Sequence, residues 1–135
     1  MEDNWESFSI ESGEFQMTVV LKPPVTLPNA GLLFDLSGEI NLYNSQAIRE
    51  NLELLITKGY IYFFLNLEQV SYIDSSGLGV FLGIHSKLSK LSGFIRLVSP
   101  SEKVRYVLEL TKLKSLLQIF STVEEAAQSI PGKTS

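Results

Sequence analysis

The chain has 135 residues, 44% of them hydrophobic, and this size and composition predict one domain with its own core. There is no cysteine and a single histidine, His85, which excludes disulfides, cysteine–zinc sites and multi-histidine metal clusters. The longest apolar run is far shorter than the roughly 18 residues of a membrane-spanning helix, and no signal-peptide pattern follows Met1. We therefore expect a cytoplasmic protein that needs no metal or cofactor.

Charge is unevenly distributed along the chain. The formal net charge is −4, and residues 1–14 contain five acids and no base: Glu2, Asp3, Glu6, Glu11 and Glu14. The remaining residues, 10 acidic and 11 basic, lack the basic stripe of a nucleic-acid-binding surface. We expect residues 1–14 to be an acidic, flexible leader, residues 15–128 a single domain, and residues 129–135 a tail. No nucleic-acid or membrane partner is expected, and the chain should be a monomer.

Strand and helix patterns alternate along this domain. Apolar, β-branched and aromatic runs predict strands at residues 15–21 and 32–36, and helical spacing of apolar residues predicts a helix at residues 45–57. A strand at residues 94–98 precedes Ser99-Pro100-Ser101-Glu102, a capping box that starts another helix. A strand at residues 116–120 and a last helix to residue 128 complete the pattern. This order is typical of an α/β sheet with packed helices.

The stretch from residue 60 to residue 91 organises the chain. Residues 60–66 predict a buried strand, and from Val80 onward apolar residues recur at helical spacing. Between them lies the motif Ile73-Asp74-Ser75-Ser76-Gly77-Leu78-Gly79. Its acidic and hydroxyl side chains can cap the free N–H groups of a helix start. Its two glycines lower helix propensity by about 1 kcal/mol each, which indicates that another element or molecule lies close to the backbone.

Three interpretations of this motif remain open from the residues alone. The serines can be caps and the glycines packing positions. Alternatively, Gly77-x-Gly79-x-x-x-Gly83 after a strand can be a dinucleotide fingerprint, one residue longer than the usual form. Finally, because helix N-termini favour anions, a serine hydroxyl here can be the site of a covalently added phosphate.

The motif also carries a family resemblance. Leu65-Asn66-Leu67-Glu68 and Val70-Ser71-Tyr72-Ile73-Asp74-Ser75-Ser76-Gly77-Leu78-Gly79-Val80 resemble the signature of bacterial anti-sigma factor antagonists of the STAS domain family. Gly38-Glu39-Ile40 and Ser99-Pro100 agree as well. The resemblance implies an α/β fold, with a mixed sheet of four to five strands and about four helices packed mainly on one side.

A function follows from the same resemblance. In this family the first serine after the aspartate accepts phosphate, which implies Ser75 here. The resemblance also implies two partners, an anti-sigma factor with serine kinase activity and a serine phosphatase. The unphosphorylated antagonist captures the anti-sigma factor and so releases the sigma factor. The protein is then a regulator rather than an enzyme.

The residues around Ser75 are the expected partner-binding residues: Asp74, Ser76, Gly77, Leu78, Gly79 and Asn41. Asn41 stands near a position where the family often has an aspartate, so this chain departs from the pattern there. Ser76 is expected to be a structural hydroxyl.

Other functions remain as alternatives. One is a STAS scaffold or sensory module that is never phosphorylated. A dinucleotide-binding enzyme is disfavoured because a second mononucleotide half hardly fits in this length. A serine hydrolase is disfavoured because the serines lack the G-x-S-x-G context and His85 alone could act as base.

Overall fold

The computed structural model describes residues 9–128, which form one sheet with four α-helices. The strands are β1 (Ser9–Ser12), β2 (Phe15–Val19), β3 (Gly31–Ile40), β4 (Tyr62–Ile73), β5 (Phe94–Val98) and β6 (Gln118–Phe120). The helices are α1 (Ser45–Thr57), α2 (Ser75–Ser89), α3 (Glu102–Leu110) and α4 (Val123–Gln128), with a 3₁₀ turn at Leu113–Ser115. Strand order follows chain order; β1 to β3 pair antiparallel and β3 to β6 pair parallel. The predicted mixed α/β fold is confirmed.

The sheet begins earlier than the sequence indicated. Strand β1 lies within the segment that we expected to be a leader, and it pairs with β2 from Ser9↔Thr18 to Ser12↔Phe15. A tight turn at Gly13, which has a φ of +61°, joins the two strands. The four residues of β1 include only one large apolar residue, so they show no alternation of apolar and polar residues from which a strand could be predicted. Residues 1–8 of the expected leader and the expected tail, residues 129–135, lie outside the described residues.

The two faces of the sheet are covered unequally. The larger core cluster lies on the face that α1, α2 and α3 cover, with Phe34 and Phe63 packed edge to face at 5.6 Å. The smaller cluster lies on the opposite face, where Ala126 of α4 packs with Phe64 and Phe94. Three helices on one face and one on the other agree with the predicted arrangement. No helix in the described part of the chain is long and apolar enough to cross a membrane.

Strands β3 and β4 are longer than predicted and end side by side. Their parallel register continues through two irregularities to Glu39↔Tyr72 and Ile40↔Ile73. Because the carboxyl ends of parallel strands meet at the same edge of a sheet, the residues that follow Ile40 and Ile73 are neighbours. Asn41 follows the first of these strands and Asp74 the second.

Candidate functional site

The predicted motif forms the start of α2. Asp74 is the N-cap residue, with extended backbone angles (φ −105°, ψ −176°), and Ser75 is the first helical residue. Asp74 Oδ1 accepts hydrogen bonds from the backbone N–H of Ser76 (2.9 Å) and of Gly77 (3.1 Å). The Ser76 hydroxyl donates to the same oxygen. The predicted helix cap is therefore confirmed, and Asp74 supplies it.

The second carboxylate oxygen of Asp74 binds another element. Asp74 Oδ2 accepts a hydrogen bond from the backbone N–H of Leu42 at 3.2 Å. Burial of Asp74 raises the pKa of its carboxyl group, but hydrogen bonds from the Ser76 hydroxyl and from the N–H groups of Gly77, Ser76 and Leu42 lower it, and the net pKa is below 3.8. At neutral pH Asp74 is therefore an anion that already engages the helix N-terminus.

Ser75 and Ser76 have different surroundings. Ser76 is half-buried and its hydroxyl is held by Asp74. Ser75 is exposed, and none of the described residues forms a hydrogen bond with its hydroxyl. Of the two hydroxyl groups in the motif, the one on Ser75 is the one accessible to an external reagent.

The remaining motif residues do not all face solvent. Gly77 and Leu78 are buried, with Leu78 only 5% exposed in the main core. A Cβ on Gly77 would lie 2.6 Å from Ile40 Cγ2, so this glycine is needed for packing within the chain. Gly79 is exposed and a Cβ there would meet no atom within 4 Å. The expectation that Gly77 and Leu78 present a surface to a partner is corrected: their side of the helix start packs on the sheet.

Residues 41–44, the loop between β3 and α1, lie beside the motif. Asn41 Oδ1 accepts from the Tyr43 N–H at 2.9 Å, and Asn44, only 3% exposed, donates from Nδ2 to the Glu39 carbonyl at 2.7 Å. These bonds engage the side-chain oxygen of Asn41 and the side chain of Asn44 within residues 39–44. As a result Leu42 and Tyr43 point outward, 71% and 89% exposed.

The sequence analysis named Asn41 as an expected partner-binding residue but did not identify the exposed side chains of Leu42 and Tyr43. A pattern of apolar residues predicts burial, and these two break that rule because the asparagine bonds fix the loop around them. Next to them is an open cavity of about 390 Å³, lined by residues of the β1–β2 turn and of the loop: Gly13, Glu14, Phe15, Glu39, Asn41, Tyr43 and Asn44. The exposed surface at this edge of the sheet thus combines Ser75 and Gly79 with two exposed apolar side chains.

The geometry counts against the two enzyme alternatives. A dinucleotide pyrophosphate requires free N–H groups at the helix start, whereas Asp74 occupies those of Ser76 and Gly77. A serine nucleophile needs a base within hydrogen-bond reach. His85 is ten residues along the same helix, about 15 Å away at 1.5 Å per residue, and its Nδ1 accepts from the Ile95 N–H at 3.1 Å.

Comparison with known proteins shows the family of this chain. The family model described as "STAS domain" matches residues 22–126. An anti-sigma-B factor antagonist of Bacillus subtilis is 34% identical over 94 residues, which cover 70% of this chain and 85% of that protein. The solved structure of the anti-sigma factor antagonist SpoIIAA in its unphosphorylated form is similar with a TM-score of 0.68 at 27% identity, covering 87% of this chain and all of that one. The Bacillus SpoIIAA structure in the phosphorylated form gives a TM-score of 0.60 at 27% identity, covering 84% and 96%.

The fold and the site therefore define a small α/β module with a capped serine motif at one edge of its sheet. The chain belongs to the STAS domain family, as its residues 65–80 indicated.

Proposed function

We propose that this chain is an anti-sigma factor antagonist whose activity is switched by phosphorylation of Ser75. The observation that carries the proposal is the contrast between the two serines. Ser75 presents an exposed hydroxyl at the first position of α2, whereas the Ser76 hydroxyl is engaged by Asp74. The relatives named as anti-sigma factor antagonists and the phosphorylated form of a similar structure support the same reading.

The switch acts through charge. A phosphate on Ser75 adds roughly −1.5 to −2 charges and three strong acceptor oxygens. These lie next to the Asp74 carboxylate, which is already ionised. A partner that docks on this edge must then desolvate two neighbouring anions, and desolvation without new cationic partners costs more than most interfaces can offset. The unphosphorylated form is therefore the one that binds.

The proposed partners are those that the family resemblance implies. The unphosphorylated chain binds an anti-sigma factor and thereby releases the sigma factor. That anti-sigma factor is itself the serine kinase, and a serine phosphatase restores the binding form. The chain acts as a cytoplasmic monomer without catalytic activity of its own. Leu42, Tyr43 and Gly79 join Asn41, Asp74 and Ser76 in the contact surface.

Paired substitutions test the assignment. The host kinase should transfer no phosphate to Ser75→Ala, whereas Ser76→Ala should accept most of the phosphate that the wild type accepts. Phosphate transfer to Ser75→Ala but not to Ser76→Ala would contradict the assignment to Ser75.

A second pair tests the charge mechanism. Ser75→Glu should weaken binding to the anti-sigma factor in a titration, while Ser75→Gln, of the same size and without charge, should bind more tightly than Ser75→Glu. Equal affinities would mean that size rather than charge controls docking. A chain that carries no phosphate in any condition would instead favour the unphosphorylated scaffold.

A further inference from the structure

The Asp74 carboxylate connects two elements that are 32 residues apart in the chain. Its Oδ1 holds the first turn of α2 through the N–H groups of Ser76 and Gly77. Its Oδ2 holds the 41–44 loop through the N–H of Leu42 at 3.2 Å. One ionised side chain thus fixes both the phosphoacceptor turn and the most exposed apolar loop of the site.

A phosphate on Ser75 would compete for the same donors. Ser75 is the first residue of α2, so its phosphate oxygens lie at the helix N-terminus, which attracts anions. The N–H groups of Ser76 and Gly77 are already bonded to Asp74, and the N–H of Leu78 donates to the Asp74 carbonyl at 3.1 Å. The added dianion therefore repels the carboxylate and competes with it for these N–H groups.

The Leu42 bond is the most exposed of the carboxylate's backbone contacts. Its N···O distance of 3.2 Å is the longest of the three backbone bonds, and it is exposed to water, whereas the two bonds to α2 are partly buried. A displacement of the carboxylate should break the exposed bond first, because water can replace it at little cost.

We infer that Asp74 transmits phosphorylation from Ser75 to the 41–44 loop, so that the phosphate releases Leu42 and Tyr43 from their docking position. The inference rests on the proposed function, and it adds a second effect of the phosphate to electrostatic repulsion. The remainder of the loop stays anchored, since the Asn44 side chain keeps its bonds to the Glu39 carbonyl and to the Asn41 N–H. Only the tip of the loop moves, and it carries the two exposed apolar side chains.

The test reads the Leu42 amide directly and needs no partner protein. Nuclear magnetic resonance of the ¹⁵N-labelled full chain gives the water-exchange rate and chemical shift of each backbone amide. In Ser75→Glu, the Leu42 amide should exchange about twofold to tenfold faster than in Ser75→Gln, the range expected for a hydrogen bond of typical net strength. The Asn41 amide, which donates to Asn44 Oδ1 at 3.0 Å in the anchored part of the loop, serves as the control and should change less.

The Asp74→Ser substitution tests whether Asp74 connects Ser75 to the Leu42 amide. Serine preserves the N-cap of α2, but its single oxygen cannot also reach Leu42. This variant should release the Leu42 amide to a similar extent, and adding Ser75→Glu to it should produce no further increase.

Equal Leu42 exchange in Ser75→Glu and Ser75→Gln would overturn the inference, as would independent, additive effects of the two substitutions. A parallel rise at the Asn41 amide, which donates to Asn44 Oδ1, would also contradict it, because the whole loop would then loosen. The proposed function fails on a different result, the absence of phosphate on Ser75 in the host, so the two failures are distinguishable.

Discussion

Gly77 of helix α2 lies directly against Ile40 at the end of strand β3. A Cβ on Gly77 would be 2.6 Å from Ile40 Cγ2 and 2.9 Å from Ile73 Cγ1, distances at which the side chains must shift. The first turn of α2 is therefore seated on the ends of β3 and β4, and this contact fixes where the neighbouring Ser75 is presented.

Substituting Gly77 tests this seating. Gly77→Ala should destabilise the protein, because overpacking of about 1 to 3 kcal/mol exceeds the gain in helix propensity of about 1 kcal/mol. Gly83→Ala on the same helix is the matched control, since its Cβ would meet no atom within 4 Å; it should stabilise the fold by about 0.5 to 1 kcal/mol. Urea unfolding measures both, and equal stability of the two variants would contradict the packing argument.

Substitution of Gly79 should have opposite effects on stability and on partner binding. Its position is exposed and open, so Gly79→Ala should raise the free energy of unfolding by about 0.5 to 1 kcal/mol. If the partner approaches the backbone here, the same substitution should weaken binding to the anti-sigma factor, whereas Gly83→Ala should not. A stabilised Gly79→Ala variant with unchanged affinity would remove Gly79 from the contact surface.

The contribution of Asp74 to stability should depend on pH. Its pKa in the folded state lies below 3.8, because its hydrogen bonds together outweigh the effect of burial. When folding lowers the pKa of a carboxyl group, its full contribution to stability is present above the pKa of the unfolded state. That contribution disappears as the pH falls through the pKa of the folded state. Asp74→Ala should cost about 0.5 to 2 kcal/mol at pH 7, and progressively less as the pH falls through the folded-state pKa. A difference between wild type and variant that does not change with pH would show that the carboxylate charge is irrelevant.

His85 should make the wild type sensitive to mild acid. Burial, together with the positive charge of Arg96, lowers the pKa of His85 below 6.5, and its unprotonated Nδ1 accepts from the Ile95 N–H. When folding lowers the pKa of a histidine, the unfolded state binds the proton more readily than the folded state. Protonation therefore has no effect on stability above about pH 6.5, and it destabilises the fold progressively as the pH falls below that value. Urea unfolding at pH 7.5 and pH 5.5 should show a larger loss for the wild type than for His85→Gln. Equal losses would mean that His85 does not titrate differently in the two states.

The sequence predicted the parts of this molecule that local chemistry determines. The helix start at Asp74 follows from the chemistry of capping, and the alternation of strands and helices from hydrophobic periodicity. Hairpin strand β1 was not predicted, because its pairing with β2 depends on a neighbour more than on its own composition.

The roles of Gly77 and Leu42 depend on tertiary neighbours. Sequence alone indicated that something approaches Gly77 but could not distinguish Ile40 from a partner protein. The position of Leu42 beside Asp74 could not be predicted either, since it results from the parallel register of β3 and β4.

Intact-protein mass spectrometry with fragment mapping shows directly whether Ser75 carries the switch. The protein would be purified from its native host with phosphatase activity inhibited. We expect a population with one added phosphate, located on Ser75 and lost in Ser75→Ala. Phosphate on Ser76 instead, or no phosphate in any growth condition, would contradict the account and leave residues 74–79 as a packing and capping motif.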